Sequence, residues 1–236
     1  MFTYSLEYLN QCLLVHLLTQ SLIKMIICLS SLKGGSGKTT LAVHLAHAIA
    51  LSKKKVILID ADPQGSSQGW AASREDKPPF PVIGMARNTL HRDLPPLLEN
   101  YDHCVIDTPP RVSALARTAI LAADLVLIPV QPSSYDIWAA SETVTLINEA
   151  QGFKPELKAA FVINRRITNT AISREVGEAL DDYEFPLLKT TIGQRVIFSE
   201  ASAGYSVMEL APTSTASTEV KNLSKEVLKI LGLKKW

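Results

Sequence analysis

One stretch limits what this chain can fold into more than any other: Lys33-Gly34-Gly35-Ser36-Gly37-Lys38-Thr39-Thr40. An apolar run, Met25-Ile26-Ile27-Cys28-Leu29, precedes it, and a helical pattern, Leu41-Ala42-Val43-His44-Leu45-Ala46, follows. Strand, glycine-rich turn and helix start, in that order, are what a phosphate-cradling loop requires. Glycines permit a tight turn in which successive N–H groups point inward at an anion, and the helix adds the positive end of its dipole. In such a loop Lys38 reaches the terminal phosphates of a nucleotide and the Thr39 hydroxyl is a ligand for Mg²⁺. Gly34, Gly35, Ser36, Gly37 and Thr40 complete the cradle. The commonest form of the loop has a glycine five residues before Gly37; this chain has Leu32 there, followed by a second lysine, Lys33. The alternative is a glycine-rich turn that binds nothing, against which stand both lysines, the threonine and the flanking pattern.

The 236 residues suit one domain, or one with a modest appendage. Net charge is +1 with histidines neutral, so nucleic-acid contact has to come from a local patch. Cys12, Cys28 and Cys104 show no ligand spacing, and the last two lie in apolar runs as buried thiols of a reducing compartment. His44 and His47, three apart, have no third ligand near in sequence and are expected to be packing or surface residues. Residues 1–24 carry Leu13-Leu14-Val15-His16-Leu17-Leu18, too short to span a membrane and without the basic start or cleavage site of a secretory signal. They are expected to be an extension of a domain over residues 25–236, with a short partner-binding helix as the alternative.

Apolar runs at Val56–Asp60, Val82–Met85, Tyr101–Asp107, Leu125–Val130 and Ala159–Asn164 predict strands, continuous in character because both faces are covered. Helical patterns fall near 38–51, 70–76, 90–99 (weakened by Pro95-Pro96), 112–122, 135–150, 172–180, 195–201 and 217–231, and Leu187–Thr190 suggests a last short strand. Strand and helix alternate throughout. The expected fold is α/β: a doubly wound, mostly parallel sheet with helices on both faces, as in a P-loop NTPase.

Asp107 ends one apolar strand, the position from which a carboxylate holds Mg²⁺, and Asp60 and Asp62 flank the end of another, where ligands of open α/β sheets collect. An aspartate there can also cap a helix or hold a turn before Pro63.

The lysine-first loop, Asp60-Ala61-Asp62-Pro63-Gln64-Gly65, Val105-Ile106-Asp107-Thr108-Pro109-Pro110, Ile128-Pro129-Val130-Gln131-Pro132-Ser133 and Val162-Ile163-Asn164-Arg165-Arg166 together resemble the deviant Walker A ATPases of the ParA/MinD group. In particular they resemble a short ParA-type plasmid partition ATPase without an N-terminal helix-turn-helix domain. The resemblance covers nearly all of residues 25–231. It implies that Lys33 crosses to the nucleotide of a facing subunit in an ATP-bound homodimer, that Asp62 positions the attacking water, that Asp60 supports the metal or the loop, and that Asn164 contacts adenine. Asn164 can also simply cap the following helix. ATP and Mg²⁺ are the implied cofactors. Nonspecific nucleoid DNA and a centromere-binding ParB-type adaptor are the implied partners, in the cytoplasm and without stable membrane association.

Candidates for DNA contact are Arg195 and the stripe Lys221, Lys225 and Lys229, whose four-residue spacing also suits a solvated helix face. A MinD-like ATPase, recruited to membranes through Leu231–Trp236, is the rival reading, and a nucleotide-binding scaffold without hydrolysis is another. An iron protein needs cluster cysteines that are badly placed here, and a pump of the arsenite type needs a second loop that is absent.

Overall fold

The computed structural model describes residues 24–111, 113–167 and 172–236. The extension expected at 1–24 therefore lies outside the described residues but for Lys24. The strands are β1 (Met25–Leu29), β2 (Val56–Asp60), β3 (Val82–Gly84), β4 (His103–Asp107), β5 (Leu125–Val130) and β6 (Lys158–Ile163). The helices are α1 (Lys38–Leu51), α2 (Ser66–Ala72), α3 (Leu90–Leu97), α4 (Ala114–Ala122), α5 (Ser134–Gln151), α6 (Ile172–Leu180), α7 (Val196–Glu200), α8 (Val207–Leu210) and α9 (Thr215–Leu231).

The strands form one sheet in the order β3-β2-β4-β1-β5-β6, every neighbouring pair parallel. Alternation along the strands sends side chains to two separate cores. Ile57, Ile59, Cys104, Ile106, Val126, Ile128 and Phe161 pack beneath α3, α4, α5 and α6. Ile27, Leu29, Leu58, Val105, Leu127 and Val162 pack beneath α1 and α9. Helix α1 shows little amphipathy because it is buried nearly all round, between the sheet and α9.

The register places the site. Leu29 pairs with Asp107, and Asp60 pairs with Asp107 on the other side of β4, so the loops leaving β1, β2 and β4 rise side by side. The chain leaves β1 toward one edge and β4 toward the other, which opens a crevice at these strand ends.

Several boundaries differ from the sequence reading. Helix α2 begins at Ser66, earlier than expected, because Gly65 in a left-handed conformation (φ +67°) starts it directly after the Asp62 turn. Helix α3 runs through both prolines, which face solvent while Leu90 and Leu94 are buried. The helix placed at 112–122 starts at Ala114, capped by the Ser113 side chain, with Val112 outside the described residues. Leu187–Thr190 is not a strand. Leu188 donates to the Phe161 carbonyl and Ile192 to that of Ile163, so four residues of one chain span two of the other and the excess bulges out. The Glu226 carboxylate accepts the bulge N–H groups of Lys189 and Thr190, both at 2.9 Å. Helix α8 was not anticipated. It is four residues long, and the capping box of Ser206 and Glu209 defines it better than any periodicity.

Candidate nucleotide site

The loop between β1 and α1 turns at Gly35 (φ +76°) and Gly37 (φ +96°), conformations that only glycine adopts freely. No side chain caps α1, so the N–H groups of its first turn are not claimed by a capping side chain. A Cβ on Gly37 would lie 2.0 Å from Asn164 Nδ2, and that amide donates to the Ser36 carbonyl at 2.8 Å, clamping the loop from the end of β6. Gln131 clamps it from the end of β5, donating to the Gly35 carbonyl at 2.6 Å.

Lys38 is buried and donates to the Lys33 carbonyl at 3.1 Å. Burial pushes its ammonium below the usual lysine value, and the negative charges of Asp107 and Asp62 partly offset this. Asp107 is almost completely buried, and desolvation raises its carboxyl to about 6. The hydrogen bond from Ser67 and the nearby Thr39 hydroxyl pull that value down, the Asp60 charge pushes it up, and Lys38 draws it down. The Ser67 hydroxyl donates to Oδ2 at 2.8 Å, while Oδ1 has no partner. Ser36 Oγ is likewise buried and unpartnered. Buried polar atoms without partners are rare in folded proteins, and with Ser30 Oγ three of them fall at the carboxyl ends of β1 and β4.

Asp60 accepts from the backbone N–H of Asp62 at 3.2 Å and of Gln68 at 3.0 Å. Both of its oxygens thus hold the loop rather than face open space. Asp62 is half-buried; its Oδ1 accepts from the Gln64 N–H at 3.0 Å, closing a turn, and its charge acts on Lys38.

Lys33 stands at the mouth of the site and pairs with the buried Asp136, in the first turn of α5, whose carboxylate also accepts from the Ser133 hydroxyl. Beside Thr40 and Asn164, a polar cavity of about 400 Å³ opens between Arg165 and the Gly193–Arg195 segment.

Lys33, Lys38, Thr39, Thr40, Asp60, Asp62, Asp107 and Asn164 thus gather at one end of the sheet. Arg195 borders the cavity, but its guanidinium pairs with Glu219 of α9 through two nitrogens. Lys221, Lys225 and Lys229 lie exposed along α9, apart from this site, with Lys221 donating to the Pro212 carbonyl at 3.1 Å. Sequence reasoning missed the roles of Ser67, Gln131 and Asp136. Only Asp136 left a local signal, the Ser133-x-x-Asp136 spacing of a helix start. His44 and His47 are packing residues: His44 bridges the Thr40 carbonyl and the Val207 N–H, and among the described residues no cluster of three metal-ligating side chains occurs.

The family described as CobQ/CobB/MinD/ParA nucleotide binding domain matches residues 27–206. The chain belongs to this family. It is 31% identical over 207 residues to the maintenance of carboxysome distribution protein A of Halothiobacillus neapolitanus, covering 86% of this chain and 95% of the relative. It is 30% identical over 200 residues to the chromosome partitioning protein ParA of Myxococcus xanthus, covering 67% and 71%. Its fold is similar to that of the septum site-determining protein MinD of Pyrococcus horikoshii, solved with Mg-ADP, at a TM-score of 0.73 and 21% identity, covering 89% of this chain and 98% of the other.

Proposed function

We propose that the chain is a weak ATPase that positions a large cargo in the cell, closing as an ATP-bound homodimer that holds DNA without sequence preference. The observation that carries the nucleotide part is the pair of unpartnered buried atoms, Ser36 Oγ and Asp107 Oδ1, beside a buried lysine. A triphosphate and Mg²⁺ match that donor set: a hydroxyl and free N–H groups for phosphate oxygens, an ammonium for their charge, and a carboxylate oxygen for the cation or its water. Mg²⁺, when bound, would neutralise charge between the outer phosphates.

The residues of this chain then divide the work. Lys38 and the loop N–H groups hold the terminal phosphates, and Thr39 and Asp107 hold the cation. Asn164 and the polar cavity beside it accept the nucleoside. Asp60 fixes the turn that carries Asp62, and Asp62 orients an in-line water and takes its proton. Lys33, supplied from the facing chain, adds positive charge where the leaving oxygen develops negative charge. A ParB-type adaptor would speed hydrolysis and release the DNA. One relative is named for carboxysome distribution and another for chromosome partitioning, so the cargo is an assembly or a replicon, and the positioning cycle is what they share.

The membrane-recruited alternative finds less support. The Trp236 ring that an interfacial tail would insert is 7% exposed, and its Nε1 donates to Ser224 Oγ at 2.8 Å.

The test is co-sedimentation with nonspecific duplex DNA at low and moderate salt, without nucleotide, with ADP and with ATP–Mg²⁺. Binding confined to ATP and lost in Lys33→Ala is expected. Absence of binding in every state, with ATP turnover intact, would overturn the DNA-tethered reading.

A further inference from the structure

The amino ends of the strands, opposite the nucleotide site, carry a concentration of lysines that an almost neutral chain has no need to gather. The turn between α1 and β2 is Lys53-Lys54-Lys55, the last turn of α9 holds Lys229, and the tail after it holds Lys234-Lys235. The fold brings these separate stretches to one corner. His103, at the start of β4, donates its N–H to the Lys55 carbonyl at 3.2 Å. The Trp236 ring packs edge-on against the His103 ring with centroids 5.2 Å apart, which brings the end of the tail to the strand end that Lys55 joins.

Five of the six lysines are exposed and Lys54 is half-buried, and among the described residues none pairs with a carboxylate. None of these stretches contains an aspartate or glutamate, and acidic side chains next to them include Asp102, just before His103, and Glu226, three residues before Lys229. Asp102 accepts from the Lys55 N–H at 2.8 Å and stays at the corner, while Glu226 is turned away to the N–H groups of Lys189 and Thr190. Burial holds His103 down at about 4, Asp102 opposing and Lys54 assisting, so the ring is neutral and the corner's charge comes from lysine alone.

We propose that this corner is the surface on which the chain holds the phosphate backbone of duplex DNA. The proposal rests on the DNA-binding reading above and assigns its surface. Lysine ammoniums are point charges without the planar fork that reads base edges, which suits phosphates contacted without sequence preference. Of the apolar groups that a lipid surface would take up, Trp236 and Leu231 are buried in the domain, Leu233 is half-buried against the core, and Leu51 is 57% exposed. The earlier candidates sort accordingly. Lys229 belongs to the corner, Arg195 is occupied by Glu219, and Lys221 and Lys225 lie farther up α9. The corner lies at the far end of the strands from the nucleotide, so both sites can be filled at once.

The test is the salt dependence of binding to a nonspecific duplex with ATP–Mg²⁺ present. It compares the wild-type chain, the corner variant Lys54→Gln/Lys55→Gln/Lys234→Gln/Lys235→Gln, and Lys221→Gln/Lys225→Gln, with thermal midpoints checking that each is folded. Each phosphate contact contributes about 0.9 to the slope of log K against log salt, so the corner variant should lose roughly 3 to 4 per chain and bind at least about 100-fold more weakly at moderate salt. The α9 variant should keep most of the slope. An unchanged slope in the corner variant, with wild-type binding present, overturns this assignment and leaves the DNA-binding reading standing. A wild-type chain that binds no duplex in any nucleotide state overturns both. Binding to phosphatidylglycerol vesicles but not to duplex, lost in the corner variant, would show the corner to be a lipid surface and likewise overturn the proposal.

Discussion

The two ends of the sheet are built on opposite terms. At the carboxyl ends of β1, β2 and β4, Lys38 is buried, Asp107 is held near 6, three buried polar atoms lack partners, and two glycines of the loop sit at positive φ. At the amino ends the polar groups are answered. Asp124 accepts from the Ile26 N–H and from Lys154, Asp102 from the Lys55 N–H, and Ser224 from the Trp236 indole. His103 Nδ1 is the exception there, covered by the edge-on tryptophan. Each unanswered buried group costs about 1–3 kcal/mol, so the first end gives up stability to be ready for a ligand and the second end supplies it. Substitutions at the two ends should therefore move stability and activity in different directions.

The largest contrast is expected from Asp107→Asn. The folded carboxyl titrates near 6, above its ordinary value of 3.8. The native state therefore holds a proton more tightly than the unfolded chain, and stability falls as pH rises from about 4 through 6. Above that the full penalty remains, on the order of 3 kcal/mol. Asparagine removes the charge and keeps an acceptor for Ser67. Without nucleotide, Asp107→Asn should melt several degrees higher than wild type at pH 7.5 and at nearly the same temperature at pH 4, while ATP turnover falls by about 100-fold or more. A lower melting temperature at pH 7.5 would break the contrast at its stronger end.

Trp236→Ala probes the other end. It removes a buried ring from the core beneath α9 together with the hydrogen bond to Ser224, a loss of about 3 kcal/mol, or roughly 6–12 °C for a domain of this size. Nucleotide affinity measured well below the melting temperature should not change. A shift in that affinity would mean that the two ends are coupled through the sheet rather than independent.

How much of this was legible in the sequence follows the same division. The strands were, because Val56–Asp60 and Leu125–Val130 are unbroken apolar runs whose burial on both faces allows no other assignment. The loop was, because glycine spacing, both lysines and the helix start are contiguous. Helix α8 was not, since a capping box across four residues carries no period. Ser67, Gln131 and Asp136 were not, since each reaches its partner across 40 to 103 residues of chain. The bulge at 188–192 was hidden for a similar reason: its N–H groups depend on Glu226, a residue of α9. Local pattern declares what the backbone does, and side-chain pairing across the fold has to be seen.

The smallest effect is expected within the loop itself, where its two lysines differ. Lys38 is tied to its own loop through the Lys33 carbonyl, so binding a phosphate leaves it in place. Lys33 is tied through its side chain to Asp136, and that side chain is about one-third exposed. If Lys33 serves the facing chain, that ion pair has to open first, which reduces the fraction of chains ready to dimerise. Asp136→Asn removes the negative charge that holds Lys33 while leaving a polar group beside the Ser133 hydroxyl. Because the Lys33 side of the pair is partly exposed and screened by solvent, the ATP-bound dimer should form at roughly three- to tenfold lower protein concentration in sedimentation velocity, with a small loss of stability in the single chain. The double variant Lys33→Ala/Asp136→Asn should lose that gain, because no lysine remains to be released. A dimer weakened by Asp136→Asn alone would mean instead that Asp136 aligns Lys33 for its crossing, and the pair would then belong to the assembled site rather than to the separate chain.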